Sequence, residues 1–408
     1  MFNILFWIII AIIVLSHLTG LFLDFLNIRM WSSKVPDRLT GLVDQEKYSK
    51  SQEYFRVTTN FGNVSSTVNL IAILLILFLS GFAWVDSLAR SVTESQILVT
   101  LLFFAIIGLA SNCLSLPFSW YGTFVIEEKF GFNRTTSATF IFDQLKGLFL
   151  WIILGIPVIA LITWIFYETG KYFWVYVWIV ITAFSVFMNI FYANLIVPLF
   201  NKQKPLEEGK LRDEIEILAI STGFKLSNIY TINGSKRSTK ANAYFSGLGP
   251  KKRIVLYDTL IEDLTTEEIV GVLAHEIGHY RKKHSLLMLA SGIVQTGLML
   301  YIFSIFSNNR MLTEALGASE SSFHISLLAF VLVYSPISLI LSLFMNYISR
   351  HNEFSADRYA GDVYEGKHLA SALKKLSLKN LSNLNPHPAF VFFYYSHPPL
   401  LNRLENLE

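Results

Sequence analysis

Seven long apolar stretches constrain the fold of this chain more than any other feature. They cover residues 2–26, 64–84, 96–120, 147–167, 172–198, 285–306 and 322–349. Each is long enough to cross the hydrocarbon core of a bilayer as a helix, which takes about 20 residues. Composition agrees, because 53% of the 408 residues are hydrophobic and only 15% are charged. Since a backbone in lipid must satisfy its own hydrogen bonds, the sequence predicts a mainly α, multi-pass membrane protein with seven transmembrane helices.

The distribution of basic residues predicts how these helices are oriented. We number the segments outside the spans from the N-terminus. Of the 33 Lys and Arg residues, 30 fall in the even-numbered segments, which are 27–63, 121–146, 199–284 and 350–408. The odd-numbered segments hold only Arg90, Lys171 and Arg310. By the positive-inside rule, we expect the N-terminus outside and the C-terminus inside. The net charge of +3 is too small to indicate a nucleic-acid partner.

The two ends of the chain add expectations about its location. The first apolar stretch lacks a basic n-region and a small-residue cleavage site, so we expect a retained span rather than a signal peptide. The final residues, NRLENLE, contain no lysine-based or KDEL-like retrieval signal. This favours a bacterial inner membrane, or the endoplasmic reticulum membrane if the host is eukaryotic.

One segment between the spans is large enough to fold in water. We divide the chain into residues 1–198, 199–284, 285–349 and 350–408, with the second and fourth parts expected to form one catalytic domain on the cytoplasmic side. Residues 206–222 have the apolar spacing of an amphipathic helix. Short β-like runs follow at 229–232, 241–247 and 253–257, separated by turns that contain glycine. The pattern predicts an α+β domain with a small three-stranded sheet.

The motif His275-Glu276-Ile277-Gly278-His279 follows that sheet in the sequence. On a helix, residues four apart share a face, so His275 and His279 can present two imidazoles to one metal ion. Glu276 lies beside them, where a general base for an attacking water belongs. Thr265 and Glu268 form a capping-box pattern that favours a helix here. A lone five-residue match is weak evidence, so a third ligand is needed.

Glu353 is the best candidate for that third ligand. The spacing of metzincins is excluded, because Lys282 and Ser285 stand where Gly and His would be required. Two apolar stretches separate Glu353 from His279, and a pair of spans returns the chain to the same side of the membrane. Asp357 follows four residues later on the same helical face, where it can accept a hydrogen bond from a ligand imidazole. Three further histidines could supply a fourth ligand, but no motif spacing requires any of them: His284, His351 and His397.

These motifs together resemble the type I CAAX prenyl protease family, which are integral-membrane zinc metalloproteases of the HExxH…ExxxD gluzincin type. The resemblance covers nearly the whole chain. It is carried by HEIGH, by Glu353 with Ala356-Asp357, by KANAYFSG and SHPPLLNRL, and by EEKFGFNRTT and PLFNK. The HtpX-type heat-shock proteases share the metal motifs, but they are shorter and have fewer spans.

The resemblance implies a zincin-like catalytic domain, one Zn²⁺ per chain and a role for each motif residue. It implies that His275, His279 and Glu353 bind zinc and that Glu276 is the base. It implies that His397 and Arg403 contact the oxyanion and that Asn242 and Tyr244 contact substrate. It also implies that the spans enclose a water-filled intramembrane chamber. Polar residues within the spans would line such a chamber or form interhelical hydrogen bonds: His17, Asn69, Asn112, Asn189 and Asn194.

We therefore expect a zinc-dependent integral-membrane endopeptidase in contact with the lipid bilayer. The resemblance implies C-terminal processing of isoprenylated CAAX-type peptides. A general quality-control protease without prenyl specificity would need the same site. A more distant alternative is a seven-span transporter or receptor, which predicts no bound metal or a closed structural site with four ligands.

Overall fold

The chain folds into long helices that carry one small sheet. The structure is a computed structural model that describes residues 3–32, 34–224, 228–246 and 253–407. The helices of these residues are α1 (Ile4–Arg29), α2 (Gln45–Phe78), α3 (Gly81–Val92), α4 (Gln96–Tyr121), α5 (Ser137–Leu150), α6 (Ile156–Thr169), α7 (Phe173–Leu195), α8 (Val197–Phe200), α9 (Lys210–Ser221), α10 (Asp258–Asp263), α11 (Thr266–Arg281), α12 (His284–Phe306), α13 (Arg310–Ala315), α14 (Phe323–Val363), α15 (Gly366–Lys379), α16 (Pro388–Tyr394) and α17 (Leu400–Leu407). Two π-helical turns, Gly122–Glu127 and Trp151–Gly155, extend α4 and α5.

Six helical stretches of the described residues are long and apolar enough to cross a membrane, which confirms a multi-pass membrane protein. They are Ile4–Arg29, Gln45–Phe78, Gln96–Glu127, Ser137–Phe200, His284–Phe306 and Phe323–Val363. The spans predicted at 147–167 and 172–198 both lie in the stretch Ser137–Phe200. Within it, Gly170 has a φ of +53° between α6 and α7, and these two helices pack against each other.

The buried core among the membrane helices lies at one end of them. It includes Phe6 of α1, Phe103 of α4, Phe303 of α12 and Phe323 of α14. These residues border the connections at 85–95, 168–171 and 307–321. At most 17% of the residues in the apolar window of any span are buried, so the helices pack loosely along most of their length.

The segment between α8 and α10 contains a four-stranded sheet in the order β1-β2-β4-β3. The strands are β1 (Gln203–Pro205), β2 (Asn228–Ile232), β3 (Ala243–Ser246) and β4 (Arg253–Tyr257). The last three confirm the predicted runs, of which residue 247 lies outside the described residues. The predicted count of three strands was wrong, because β1 also pairs antiparallel with β2. A strand of three residues that ends in proline fits only at a sheet edge, and it carries too little pattern to be recognised.

A second core joins this sheet to the helices around it. Ile215 and Leu218 of α9 are buried as the spacing predicted, against Ile254 of β4 and Ile269 of α11. α14 continues without a break from its apolar half to Ala360, which joins the same core. One helix therefore links a membrane span directly to the candidate site.

Candidate metal centre

α11 carries the HExxH motif and begins at a complete capping box. The Thr265 hydroxyl accepts the N–H of Glu268, and the Glu268 carboxylate accepts the N–H of Thr265 at 2.9 Å. That carboxylate also accepts hydrogen bonds from Ser371 and Lys375 of α15, both at 2.7 Å. Burial favours the neutral acid, but these hydrogen bonds outweigh burial and lower the pKa of Glu268. The predicted cap is confirmed, and it also ties α11 to α15.

The glycine of the motif allows α11 to approach α14 closely. A Cβ atom at Gly278 would lie 3.1 Å from both the Cα and the carbonyl oxygen of Ala356. Backbone atoms cannot move aside cheaply, so any side chain here would push the helices apart. This contact lies one residue before His279 and three residues after Glu353, so it sets the distance between the two halves of the site.

Three side chains from these helices converge on one point. The Nε2 atoms of His275 and His279 lie 3.1 Å apart. Glu353 places Oε2 3.5 Å from the first nitrogen and Oε1 3.2 Å from the second. A tetrahedral ion with bonds of about 2.05 Å spaces its ligands about 3.3 Å apart, so this donor set fits zinc. Among the described residues, these three form the one group of this kind, and its ligand atoms lie within 4.8 Å of one another.

The predicted partner Asp357 lies behind the first imidazole. Its Oδ1 is 2.8 Å from Nδ1 of His275, and its side chain is fully buried. Burial lowers the pKa of His275, but hydrogen bonds to Asp357 and Glu353 outweigh burial and raise that pKa to about 9. Two carboxylates thus favour positive charge at the point where the donors converge, as a site for a divalent cation requires.

The motif SHPPLLNRL supplies two predicted residues, Arg403 and His397, which take different places around the site. Arg403 donates to both oxygens of Asp357, at 2.9 and 2.6 Å, and its Nη1 lies 3.7 Å from Glu353. The partner carboxylates outweigh the burial of the guanidinium and raise its pKa. His397 places Nδ1 3.0 Å from Oε2 of Glu353, and its side chain is 65% exposed. Arg403 therefore lies behind the donors, whereas His397 lies on their open side.

Glu276 stands beside the two imidazoles on α11. It is half-buried, and it has no hydrogen-bond or ion-pair partner within the described ranges.

The second imidazole has a partner, His284, that the sequence suggested only as one of three possible fourth ligands. Nδ1 of His284 lies 3.0 Å from Nδ1 of His279, and His284 is buried. This nitrogen of His279 faces away from the converging donors, so His284 orients a ligand rather than adding one. His351, another histidine considered as a ligand, is exposed on α14 and outside the group.

The two predicted substrate contacts lie at the free edge of the sheet. Within the described residues β3 pairs only with β4, and the carbonyl of Asn242 accepts the N–H of Tyr257 at 3.2 Å. In an antiparallel ladder, alternate residues bond to the neighbour, so the backbone groups of Ala243 and Phe245 point to the open side. Oδ1 of Asn242 accepts the N–H of Ala243 at 2.8 Å.

Tyr244 lies on the same strand and is half-buried. Its hydroxyl oxygen is inaccessible to solvent and has no hydrogen-bond partner among the described residues. Burial raises the pKa of this phenol to about 12, so the hydroxyl keeps its proton at neutral pH. A buried donor without a partner is costly, and it is a candidate to bind another group.

Family models match both parts of the chain. A model described as peptidase family M48 matches residues 205–408, and one described as CAAX prenyl protease N-terminal, five membrane helices, matches residues 25–202. The chain belongs to peptidase family M48. This match confirms the predicted resemblance. The protein is therefore a membrane metallopeptidase. The match also rules against the transporter or receptor alternative.

Curated relatives of this protein match nearly its full length. A CAAX prenyl protease 1 homolog of Oryza sativa subsp. japonica is 37% identical over 98% of this chain and 96% of the relative. The homolog of Arabidopsis thaliana is 38% identical over 92% and 90%. The crystal structure of S. mikatae Ste24p is similar with a TM-score of 0.93 and 33% identity, over 100% of this chain and 99% of that one. The fold of this M48 chain is therefore that of Ste24p.

Proposed function

We propose that the chain is a zinc-dependent endopeptidase of the membrane that cleaves an extended peptide bound along β3. The observation that carries this proposal is the convergence of three donor atoms, 3.1 to 3.5 Å apart, from α11 and α14. His275, His279 and Glu353 would hold one zinc ion, and Asp357 would orient His275. When bound, zinc supplies Lewis-acid polarisation of the scissile carbonyl and lowers the pKa of a water.

Glu276 is the proposed general base. It takes a proton from the attacking water and passes it to the leaving amine. Its lack of a partner in the described residues supports this role, because a carboxylate held by an arginine or lysine would be a poorer base.

His397 and Arg403 are proposed to stabilise the oxyanion in different ways. His397 is on the open side of the site, so its imidazole can donate directly to the developing charge. Arg403 is held by Asp357, so it contributes a fixed positive charge and keeps that carboxylate in place.

The substrate is proposed to add a strand to the sheet. An extended peptide would pair with the open backbone groups of Ala243 and Phe245, as in β-augmentation. Asn242 would release the N–H of Ala243 and bind the peptide backbone with its own amide. The hydroxyl of Tyr244 would find its missing partner on the substrate.

The membrane part is proposed to form seven spans around a chamber. Counting α6 and α7 as separate spans gives seven, and the low burial within the span windows leaves room for a hollow. A cavity of about 350 Å³ supports this proposal, since hydroxyls of α1 and α14 line it at span positions: Ser16, Thr19, Ser335, Ser338 and Ser342.

The polar residues predicted for the chamber divide into three groups, and the half-buried Asn194 forms one by itself. Asn69, Asn112 and Asn189 are exposed on their helices, as chamber residues would be. His17 instead lies 3.3 Å from the hydroxyl of Thr67, which favours an interhelical hydrogen bond. The catalytic part and the C-terminus would face the cytoplasm, with the N-terminus outside. The membrane would be the inner membrane of a bacterium or the endoplasmic reticulum of a eukaryote.

The proposed substrates are isoprenylated CAAX-type peptides, because the relatives above are named CAAX prenyl protease 1 homologs. The test compares a farnesylated CAAX peptide with its unlipidated twin, using purified protein that contains one equivalent of zinc. We expect faster cleavage of the farnesylated peptide, and loss of cleavage when a chelator removes zinc. Equal rates would favour a quality-control protease, and chelator-resistant cleavage would refute the metal mechanism.

A further inference from the structure

Lys240 connects the start of the substrate strand to the membrane helices. Its Nζ lies 2.9 Å from Oε2 of Glu127 and donates to the hydroxyl of Tyr54 at 2.8 Å. The same ammonium lies 4.4 Å from the ring centre of Phe132 and 5.0 Å from that of Tyr54. One cation thus combines an ion pair, a hydrogen bond and two cation–π contacts, and about a third of its side chain is exposed.

The partners of Lys240 belong to the membrane part of the chain. Tyr54 lies on α2, and Glu127 ends the π-helical turn that extends α4. Tyr54 also donates to Glu127, so these two side chains hold each other in place. Lys240 itself stands two residues before Asn242 and three before β3. The contact therefore spans the two parts of the molecule at the point where the edge strand begins.

The backbone before β3 is held by the loop that follows the π-helical turn Gly122–Glu127. Thr239 donates its N–H to the carbonyl of Phe132 at 3.1 Å, and Arg134 donates to the carbonyl of Arg237 at 3.0 Å. On the other side, the side-chain amide of Asn380 bonds both the N–H and the carbonyl of Ala241, each at 3.3 Å. After residue 241, β4 is the only strand in the described part of the chain that pairs with β3.

We propose that Lys240 is a positioning residue. Through its contacts with Glu127 and Tyr54, it fixes the position of β3 relative to the metal ligands. This inference rests on the proposed function, in which β3 receives the peptide. An edge strand has one neighbour, so its position depends on what holds its ends. A displacement of 1 Å far from the chemistry can reduce the rate by about a hundredfold. The motif EEKFGFN thereby acquires a role as the anchor of the substrate strand.

The test separates binding along the strand from binding at the metal. Lys240→Met keeps the length and the apolar stem of the side chain but removes its charge. We measure inhibition by a peptide hydroxamate, which uses both strand and metal, and by acetohydroxamate, which uses the metal alone. We expect Lys240→Met to weaken the peptide hydroxamate about ten- to a hundredfold and to raise KM for a peptide substrate. Zinc content and inhibition by acetohydroxamate should stay at the wild-type values.

Lys129→Met is the matched control. Lys129 lies on the same loop and pairs with Glu53 at 2.7 Å, but both side chains are 54% exposed. Exposed pairs contribute little, so this variant should behave as wild type in both assays. Tyr54→Phe gives an independent second variant, because it removes one hydroxyl and keeps the ring. It should show the same selective weakening at a smaller size.

Two results would overturn the inference while leaving the proposed function intact. Wild-type affinity of Lys240→Met and Tyr54→Phe for the peptide hydroxamate would show that Lys240 does not position the strand. An equal loss for both hydroxamates, or a loss of zinc, would show that Lys240 only maintains the fold. If the wild-type protein binds peptide hydroxamate no better than acetohydroxamate, peptide binding on β3 is refuted and the inference falls with it.

Discussion

Oδ1 of Asp357 lies 2.8 Å from Nδ1 of His275, on the side of the imidazole that faces away from the other donors. Arg403 donates to both oxygens of the same carboxylate, at 2.9 and 2.6 Å. The carboxylate can thus accept the Nδ1–H of His275, which leaves the lone pair of Nε2 directed towards Glu353. Asp357 therefore fixes both the tautomer and the orientation of a proposed zinc ligand.

Asp357→Asn should weaken zinc binding about 10- to 100-fold, because an amide orients the imidazole less well and does not raise its basicity. The dissociation constant, measured by competition with a chelating dye, checks this. Asp362→Asn is the control, since Asp362 is exposed one turn later on α14. An unchanged zinc affinity in Asp357→Asn would show that Asp357 has no part in holding His275.

Glu276→Gln should retain zinc and lose about 10²- to 10⁴-fold in kcat, because glutamine cannot take a proton from water. Zinc content and peptide cleavage are measured on the same sample. Glu267→Gln provides the control, because Glu267 lies on α11 but forms an exposed pair with Lys210. Full activity in Glu276→Gln would refute the general-base mechanism.

Local and topological signals made most of the centre predictable. The capping box and the HExxH spacing act within one helix, and an even number of spans suffices to bring Glu353 to the motif. The partner of His279 was not predictable in this way. On a continuous helix, position 284 would point about 140° away from position 279. α11 ends at Arg281, and Lys283 has a φ of +59° directly before α12, so this turn brings His284 back to the ligand.

His284→Phe should reduce zinc affinity about tenfold. If Nε2 of His279 holds zinc, its proton is on Nδ1, and phenylalanine cannot accept the hydrogen bond that His284 can. His284→Gln, which can still accept a hydrogen bond, should restore most of that affinity. His351→Phe serves as the control, because His351 is exposed. Equal loss in the Phe and Gln variants would show that the packing of His284 matters and its hydrogen bond does not.

Stability should fall in acid partly through Glu268, whose pKa is lowered in the folded state. A lowered pKa stabilises the fold at pH values above the unfolded value of about 4.3, and this stabilisation is lost as the pH falls through the folded value. Glu268→Gln should cost about 2 kcal/mol at pH 7, because hydrogen bonds to Lys375 and Ser371 lose their charged acceptor. Thermal unfolding of both proteins should therefore converge as the pH is lowered below about 4.3. A constant difference in Tm across this range would exclude the titration of Glu268 as the cause.

Gly278→Ala tests whether the close approach of α11 and α14 assembles the centre. The new Cβ would lie 3.1 Å from backbone atoms of Ala356, so we expect a loss of about 1–3 kcal/mol in unfolding free energy. Zinc affinity should fall as well, because the same displacement separates His279 from Glu353. Gly361→Ala is the matched control on α14, since no atom lies within 4 Å of its Cβ position. That control should gain about 0.5–1 kcal/mol, as alanine is the better helix former. Zinc affinity at the wild-type value in Gly278→Ala would show that the ligands hold their geometry without this contact.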